Sequence, residues 1–176
     1  CSRGLGKTWV AAMYATLYAI FNPGIKIGMC SATFRQARNL FKQIEVFRNG
    51  KGGGFLRQCI PNKPIHQPDA WEMNVGSSLI VAIPLGSGEK IRGYRFNVMI
   101  IDELLLLSEK VVEEVIKPFM AIKADARQRQ YLVEAEDKLI AAGKMTEAER
   151  YKFPNNKLIG LTSASYEFEY LYELYS

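Results

Sequence analysis

Short apolar runs of strand length alternate along this chain with stretches of helical periodicity, and that alternation is the strongest constraint on its fold. Residues 25–32 (IKIGMCSA), 98–101 (VMII) and 158–161 (LIGL) are mostly apolar, as strands covered on both faces of a parallel sheet are. Between and around them, apolar side chains recur at helical spacing. Trp9, Val10, Met13, Tyr14, Leu17 and Ile20 do so over residues 7–21, which Asn22-Pro23-Gly24 stops. Phe34, Ala37, Leu40, Phe41, Ile44 and Phe47 do so over residues 33–48. Residues 70–75 and 78–84 read as a hairpin on a Gly-Ser turn. Residues 49–54 (NGKGGG) read as a flexible loop, residues 55–68, with three prolines, as irregular, and residues 87–95 as a polar basic loop. A helix of about fifteen residues is expected to follow Glu103. Residues 125–151 are charge-dense and helical in pattern, broken at Gly143, with Thr146 and Glu149 at capping-box spacing. The expected architecture is α/β: a mostly parallel sheet flanked by helices, plus a helical insertion over residues 122–154.

Composition narrows the class further. The chain has 176 residues, 48% of them hydrophobic and 23% charged, which suits one soluble domain or slightly more. A net charge of +5 suits a phosphate-rich partner, nucleotide or nucleic acid. Cys1, Cys30 and Cys59 are odd in number and unpaired in spacing, against a disulfide framework or a zinc site and in keeping with a reducing compartment. No apolar run reaches the roughly 18 residues a membrane span needs, and the N-terminal stretch is not a signal peptide. The chain opens inside a glycine-rich loop and closes in a helical pattern without a cap, so a domain over residues 1–176 is expected to be truncated at both ends.

That loop, Cys1 to Thr8 (CSRGLGKT), carries the first chemical signal. It matches the end of the pattern G-x-x-x-x-G-K-[ST] through Gly6, Lys7 and Thr8, with Cys1 in place of the leading glycine. Small residues let such a backbone turn its N–H groups toward phosphate oxygens, and the helix that follows adds its positive end. Ser2, Arg3, Gly4, Leu5, Gly6, Lys7 and Thr8 are therefore the candidate ATP-binding residues. Lys7 would meet the β- and γ-phosphates and Thr8 would place a hydroxyl on Mg²⁺. Arg3, inside the loop, is a candidate to stabilise charge as a γ-phosphoryl group departs.

The second signal is VMIIDE, residues 98–103. An apolar strand ending in two acids is the Walker B pattern. Asp102 is the candidate Mg²⁺ ligand and Glu103 the candidate general base that polarises water. A strand running into a helix capped by an acidic pair has the same local form. Two adjacent acids favour hydrolysis over nucleotide gating, because one is spare for water activation; this makes the expected fold a P-loop NTPase of the ASCE type.

Two further clusters are weaker. Thr162, Ser163 and Ser165 follow the strand LIGL and suit either a γ-phosphate sensor that couples hydrolysis to movement or the N-cap of a final helix. Lys90, Arg92 and Arg95 in EKIRGYR suit DNA phosphates, a neighbouring subunit's nucleotide, or plain solvation. His66 is the only histidine and lies in a proline-rich stretch; no Ser-His-Asp or metal constellation can be built around it. The late tyrosines, Tyr166, Tyr170, Tyr172 and Tyr175, read as core or interface rather than a base-stacking platform.

Taken in order, SRGLGKT, IGMCSATFRQARNLFKQI, IRGYRFNVMIIDE and LIGLTSAS resemble the large terminase subunit of tailed bacteriophages, over nearly the whole chain. The resemblance implies an ATP- and Mg²⁺-dependent motor that pumps double-stranded DNA into a procapsid. It implies a homo-oligomeric ring on the portal protein, a small terminase subunit as partner, no membrane, and residence in the host cytoplasm with transient docking at the portal vertex. It gives Arg3 a role on the subunit's own nucleotide and Arg92 the role of an arginine finger on the next subunit. It gives residues 162–165 the coupling role. The family's C-terminal nuclease domain has no counterpart in these 176 residues, so nuclease activity is not expected of them. Two other readings compete: a helicase-like P-loop translocase, which would need motor motifs in a second lobe, and a nucleotide-gated assembly module without turnover.

Overall fold

The computed structural model describes residues 6–85, 94–104, 107, 109–116, 118, 126–152 and 156–162. Its described strands are β1 Lys26–Ser31, β2 Ile65–His66, β3 Trp71–Val75, β4 Ser78–Pro84, β5 Val98–Asp102 and β6 Lys157–Leu161. They form one sheet in the order β2-β3-β4-β1-β5-β6. Strands β4, β1, β5 and β6 run parallel, while β3 is antiparallel to both β2 and β4. The described helices are α1 Lys7–Phe21, α2 Phe34–Asn49, α3 Gly54–Cys59, a short α4 Glu109–Val111 that runs into a π-helical turn over Val112–Ile116, and α5 Ala126–Ala141. The mostly parallel α/β sheet flanked by helices is the fold the alternating pattern predicts.

The period-two geometry of a strand decides which side chain meets which layer. On β1, Ile27 and Met29 face α1 and α2, joining Ala12, Ala15 and Ala19 of α1 and Leu40, Phe41 and Ile44 of α2 in one core. The alanine stripe lets α1 lie close to the sheet. Cys30 faces the other way, into a second core with Val81, Phe96, Met99, Ile101, Val112 and Ile116. Burial of one such large apolar side chain contributes about 1.5–3 kcal/mol, and both faces of the sheet are covered.

Local signals close most elements where the sequence predicts. The β3–β4 connection is a two-residue turn, Val75 pairing with Ser78, and Gly76 takes the positive φ of 58° that it requires. Thr33 caps α2 by accepting the Gln36 N–H. The end of α1 is held by Ser78, whose hydroxyl lies 3.1 Å from the Ala19 carbonyl and 3.0 Å from that of Asn22. Gly143, at φ 68°, ends α5, and the Lys144 N–H returns to the Leu139 carbonyl at 2.9 Å.

Two segments differ from expectation. Residues 55–68 are not wholly irregular, since β2 and all but the first residue of α3 lie within them, α3 beginning at Gly54 of the expected flexible loop. The reason is a pair of reciprocal caps. Arg57 donates to the Arg48 carbonyl at 3.0 Å, satisfying the end of α2, and Arg48 donates from Nε to the Ile60 carbonyl at 2.9 Å, satisfying the end of α3. The Thr146–Glu149 capping box forms, with the Thr146 N–H donating to Glu149 at 2.8 Å, but over the described residues it opens a single 3₁₀ turn, Glu147–Glu149. Arg150 ties that turn back to Asp137 of α5 at 2.5 Å. Among the described residues no helix is long and apolar enough to cross a membrane.

Candidate active site

Parallel strands put their carboxyl ends on one edge of the sheet, where ligands bind in folds of this kind. Register aligns Ser31 of β1 with Asp102 of β5, and Asp102 with Leu161 of β6. Glu103 and Thr162 are therefore the next residues out on adjacent strands. The N-terminus of α1 reaches the same edge. Gly6 precedes it at φ 68°, a left-handed conformation that glycine adopts without the cost a Cβ brings. Lys7 opens the helix and no acidic residue occupies its first turn.

Asp102 and Glu103 differ in environment although they are neighbours. Burial raises the Asp102 carboxyl above the ordinary carboxylate value and the negative Glu103 raises it further. The Glu103 N–H, which donates to it, and the Lys7 ammonium both work in the opposite direction. Lys7 and Asp102 are thus electrostatic partners across the α1–β5 gap. Glu103 stands at φ 54°, the left-handed region that few residues with a side chain enter. Strain of this kind costs on the order of 1–3 kcal/mol and persists where surrounding contacts hold it.

Those contacts come from β1 and α2. The Gln36 side-chain amide Nε2 donates to Glu103 Oε2. Gln36 Oε1 accepts from the Thr33 hydroxyl at 2.8 Å and from the Ser31 hydroxyl at 3.0 Å. The Ser31 hydroxyl also lies 3.1 Å from the Asp102 carbonyl oxygen. The Glu103 carboxylate, which only accepts, settles which way the amide points: nitrogen toward Glu103, oxygen toward the Ser31 and Thr33 hydroxyls.

A cavity of about 490 Å³ opens between α1 and β6, lined by Lys7, Val10 and Tyr14 on one side and Ile159, Leu161 and Thr162 on the other. Its walls are largely apolar.

Of the residues that the sequence marks, the structure brings Gly6, Lys7, Thr8, Asp102, Glu103 and Thr162 to one edge of the sheet. Ser2, Arg3, Gly4, Leu5, Arg92, Ser163 and Ser165 lie outside the described residues, as do Cys1, Lys90 and residues 166–176. Arg95 is exposed. His66 pairs with Glu45 at 2.6 Å and stacks on Trp71, and no metal-binding group of His, Cys, Asp or Glu occurs among the described residues. Sequence reasoning missed Ser31 and Gln36. The sequence signal is partial: Thr33-x-x-Gln36 has capping-box spacing at a strand-to-helix turn, which marks a helix start, and only the β1–β5 register sets that turn beside the Asp-Glu pair.

Comparison with known proteins bears on the fold and the family. The family model for the terminase large subunit, T4likevirus-type, N-terminal, matches residues 1–138. The ATPase domain of the large terminase of Thermus phage P74-26 superposes with a TM-score of 0.57 at 15% identity, over 98% of this chain and 60% of that one. A single-substitution variant of the same domain gives a TM-score of 0.56 at 15% identity, over 97% of this chain and 61% of that one. The large terminase of a thermophilic bacteriophage gives 0.52 at 18% identity, over 99% of this chain and 42% of that one. The chain thus spans about three-fifths of the length of the ATPase domains it matches. No curated protein matches it in sequence.

Proposed function

This chain belongs to the T4-like terminase large subunit family, through that family's N-terminal region, and on that premise we propose that it is the ATP-hydrolysing motor domain that drives double-stranded DNA into a procapsid. What supports the reading is Lys7, at the start of α1, acting electrostatically on Asp102, the last residue of β5 and the neighbour of Glu103, while Lys7 and Thr162 line one cavity. A lysine at a helix N-terminus with no acid in the first turn opposes the helix dipole; an anion bound there offsets both.

The residues fit Mg²⁺. It favours few protein oxygens beside phosphate oxygens, and Asp102, whose ionised form burial and Glu103 disfavour, is a carboxylate that a cation would stabilise. Thr8 and Asp102 would hold it, and it would neutralise phosphate charge. Lys7 and the loop residues Ser2, Arg3, Gly4, Leu5 and Gly6 would bind the phosphates. Glu103 orients a water and takes its proton as the water oxygen bonds to the γ-phosphorus and the bond to the β–γ bridging oxygen breaks, leaving ADP and inorganic phosphate. Arg3 and Arg92 would meet charge developing on the phosphoryl group, Arg92 from the adjacent subunit. Thr162, Ser163 and Ser165 would report the state of that group to the rest of the domain.

Translocation requires a grip that every sequence offers, so DNA is held through phosphates in a salt-dependent way. The subunit works in a ring on the portal of the procapsid, with the small terminase subunit as partner, in the host cytoplasm. Residues 122–154 form an insertion in a motor domain spanning residues 1–176, and DNA cleavage belongs outside these residues.

The test is ATP hydrolysis by the full-length protein with Lys7→Ala and Glu103→Gln beside it, with and without DNA and empty procapsids. Glu103→Gln is expected to lower kcat by about 10²–10⁴-fold while ATP still binds, and Lys7→Ala to lose binding and turnover together. Turnover untouched by either substitution would sink the reading, and ATP binding without turnover in the unaltered protein would establish the assembly module instead.

A further inference from the structure

We infer that Gln36 is the positioning residue of Glu103: its amide, oriented by the Ser31 and Thr33 hydroxyls, holds one carboxylate oxygen so that the other is presented to water. This rests on Glu103 being the general base. At the third position of α2, three residues after the Thr33 cap, a glutamine normally turns back to the N-cap backbone N–H. Here its oxygen is occupied by the hydroxyls of Thr33 at 2.8 Å and Ser31 at 3.0 Å, and its nitrogen is directed across the sheet edge to Glu103.

The contact joins residues 67 apart in sequence and is anchored at both ends. Ser31 sits at the end of a fully paired central strand, is buried, and also lies against the Asp102 carbonyl oxygen. Glu103 leaves β5 through a left-handed turn, which swings its side chain off the strand direction toward α2. A general base gives its rate advantage only while its oxygen is held within a fraction of an ångström of the productive position. A planar amide fixed by two hydroxyls is suited to that hold: it keeps the carboxylate from rotating and leaves the second oxygen open. Aspartate or asparagine at residue 36 would be too short to span the gap that glutamine closes.

The experiment uses the full-length protein and steady-state ATP hydrolysis with ATP affinity measured alongside. Gln36→Met keeps the shape and removes the hydrogen bonds. It is expected to lower kcat by about 10–100-fold with KM and ATP affinity unchanged, the affinity reporting an intact fold. Gln36→Glu keeps the shape but sets a carboxylate against Glu103, and is expected to be the slower of the two. A role confined to capping α2 makes the opposite prediction, because glutamate is the preferred residue at that position of a capping box. Gln36→Glu turning over as fast as the unaltered protein, or Gln36→Met leaving kcat unchanged while Glu103→Gln abolishes it, overturns the positioning role and leaves the base assignment standing. Full turnover in Glu103→Gln overturns both.

Discussion

The ring of Phe96 lies across Gly28, so close that a Cβ on Gly28 would come within 2.8 Å of two ring carbons. Gly28 is in the central strand β1 and Phe96 is buried just before β5, so neither can move without disturbing the sheet. Gly28→Ala is expected to destabilise the protein by about 1–3 kcal/mol, the usual range for overpacking a filled core. Urea unfolding measures it, and Phe96→Leu in the same chain should recover part of the loss. An unchanged denaturation midpoint would mean that the ring has room to yield.

Gly160 of β6 has a similar neighbour with a different consequence. A Cβ there would meet Leu104 Cδ2 at 2.6 Å. That atom is the tip of a flexible side chain, so the expected stability cost of Gly160→Ala is below about 1 kcal/mol. Leu104 directly follows Glu103, however, and a shift there is transmitted to the carboxylate. The expected result is near-native unfolding with kcat reduced about tenfold. Equal turnover in the two proteins would disconnect β6 from the site.

The two described cysteines should react unequally. Cys30 is buried in the second core and burial pushes its thiol far above the ordinary value, whereas Cys59 at the end of α3 is partly exposed. Site-resolved mass spectrometry after a brief pulse of a thiol reagent should find Cys59 labelled and Cys30 labelled only after unfolding. Early labelling of Cys30 would contradict the packing around β1.

The corner after α5 should loosen in acid. Hydrogen bonds from the Thr146 N–H and hydroxyl lower the Glu149 carboxyl, and the Arg150 guanidinium lowers that of Glu147. For a carboxyl whose folded value lies below its unfolded one, the stabilisation is present above the unfolded value and is lost as pH falls through the folded one. Hydrogen exchange at the Thr146 amide should therefore stay slow through neutral pH. Relative to a Glu149→Gln variant, protection should disappear only below the ordinary range for glutamate. A loss that began near neutrality would contradict the capping box.

Much of the fold was legible because its signals are local. The helix over residues 7–21, the Asn22-Pro23-Gly24 stop and the Gly76 turn each follow from residues a few positions apart, but the face that α1 buries is Ala11, Ala12, Ala15 and Ala19, and Trp9, Val10 and Leu17 of the expected stripe are exposed. The hairpin and the β5 strand read as directly. Residues 54–59 did not, because α3 is completed by Arg48 and Arg57 reaching across to each other's helix ends, which no local propensity encodes. Lys7 and the Asp102–Glu103 pair were readable as candidates because each lies in a contiguous motif.

By itself the sequence determined the alternation of strand and helix, the glycine that starts α1, and the identity of the acids at the end of β5. These depend on backbone periodicity and on neighbours within one turn. Only the tertiary structure decided that Ser31 lies level with Asp102, that the charge of Lys7 acts on that acid, and that Gln36 turns away from its own helix cap to meet Glu103. Each of those is a matter of strand register and layer packing, in which the hydrophobic faces of β1, α1 and α2 must be buried together before polar groups distant in sequence can meet.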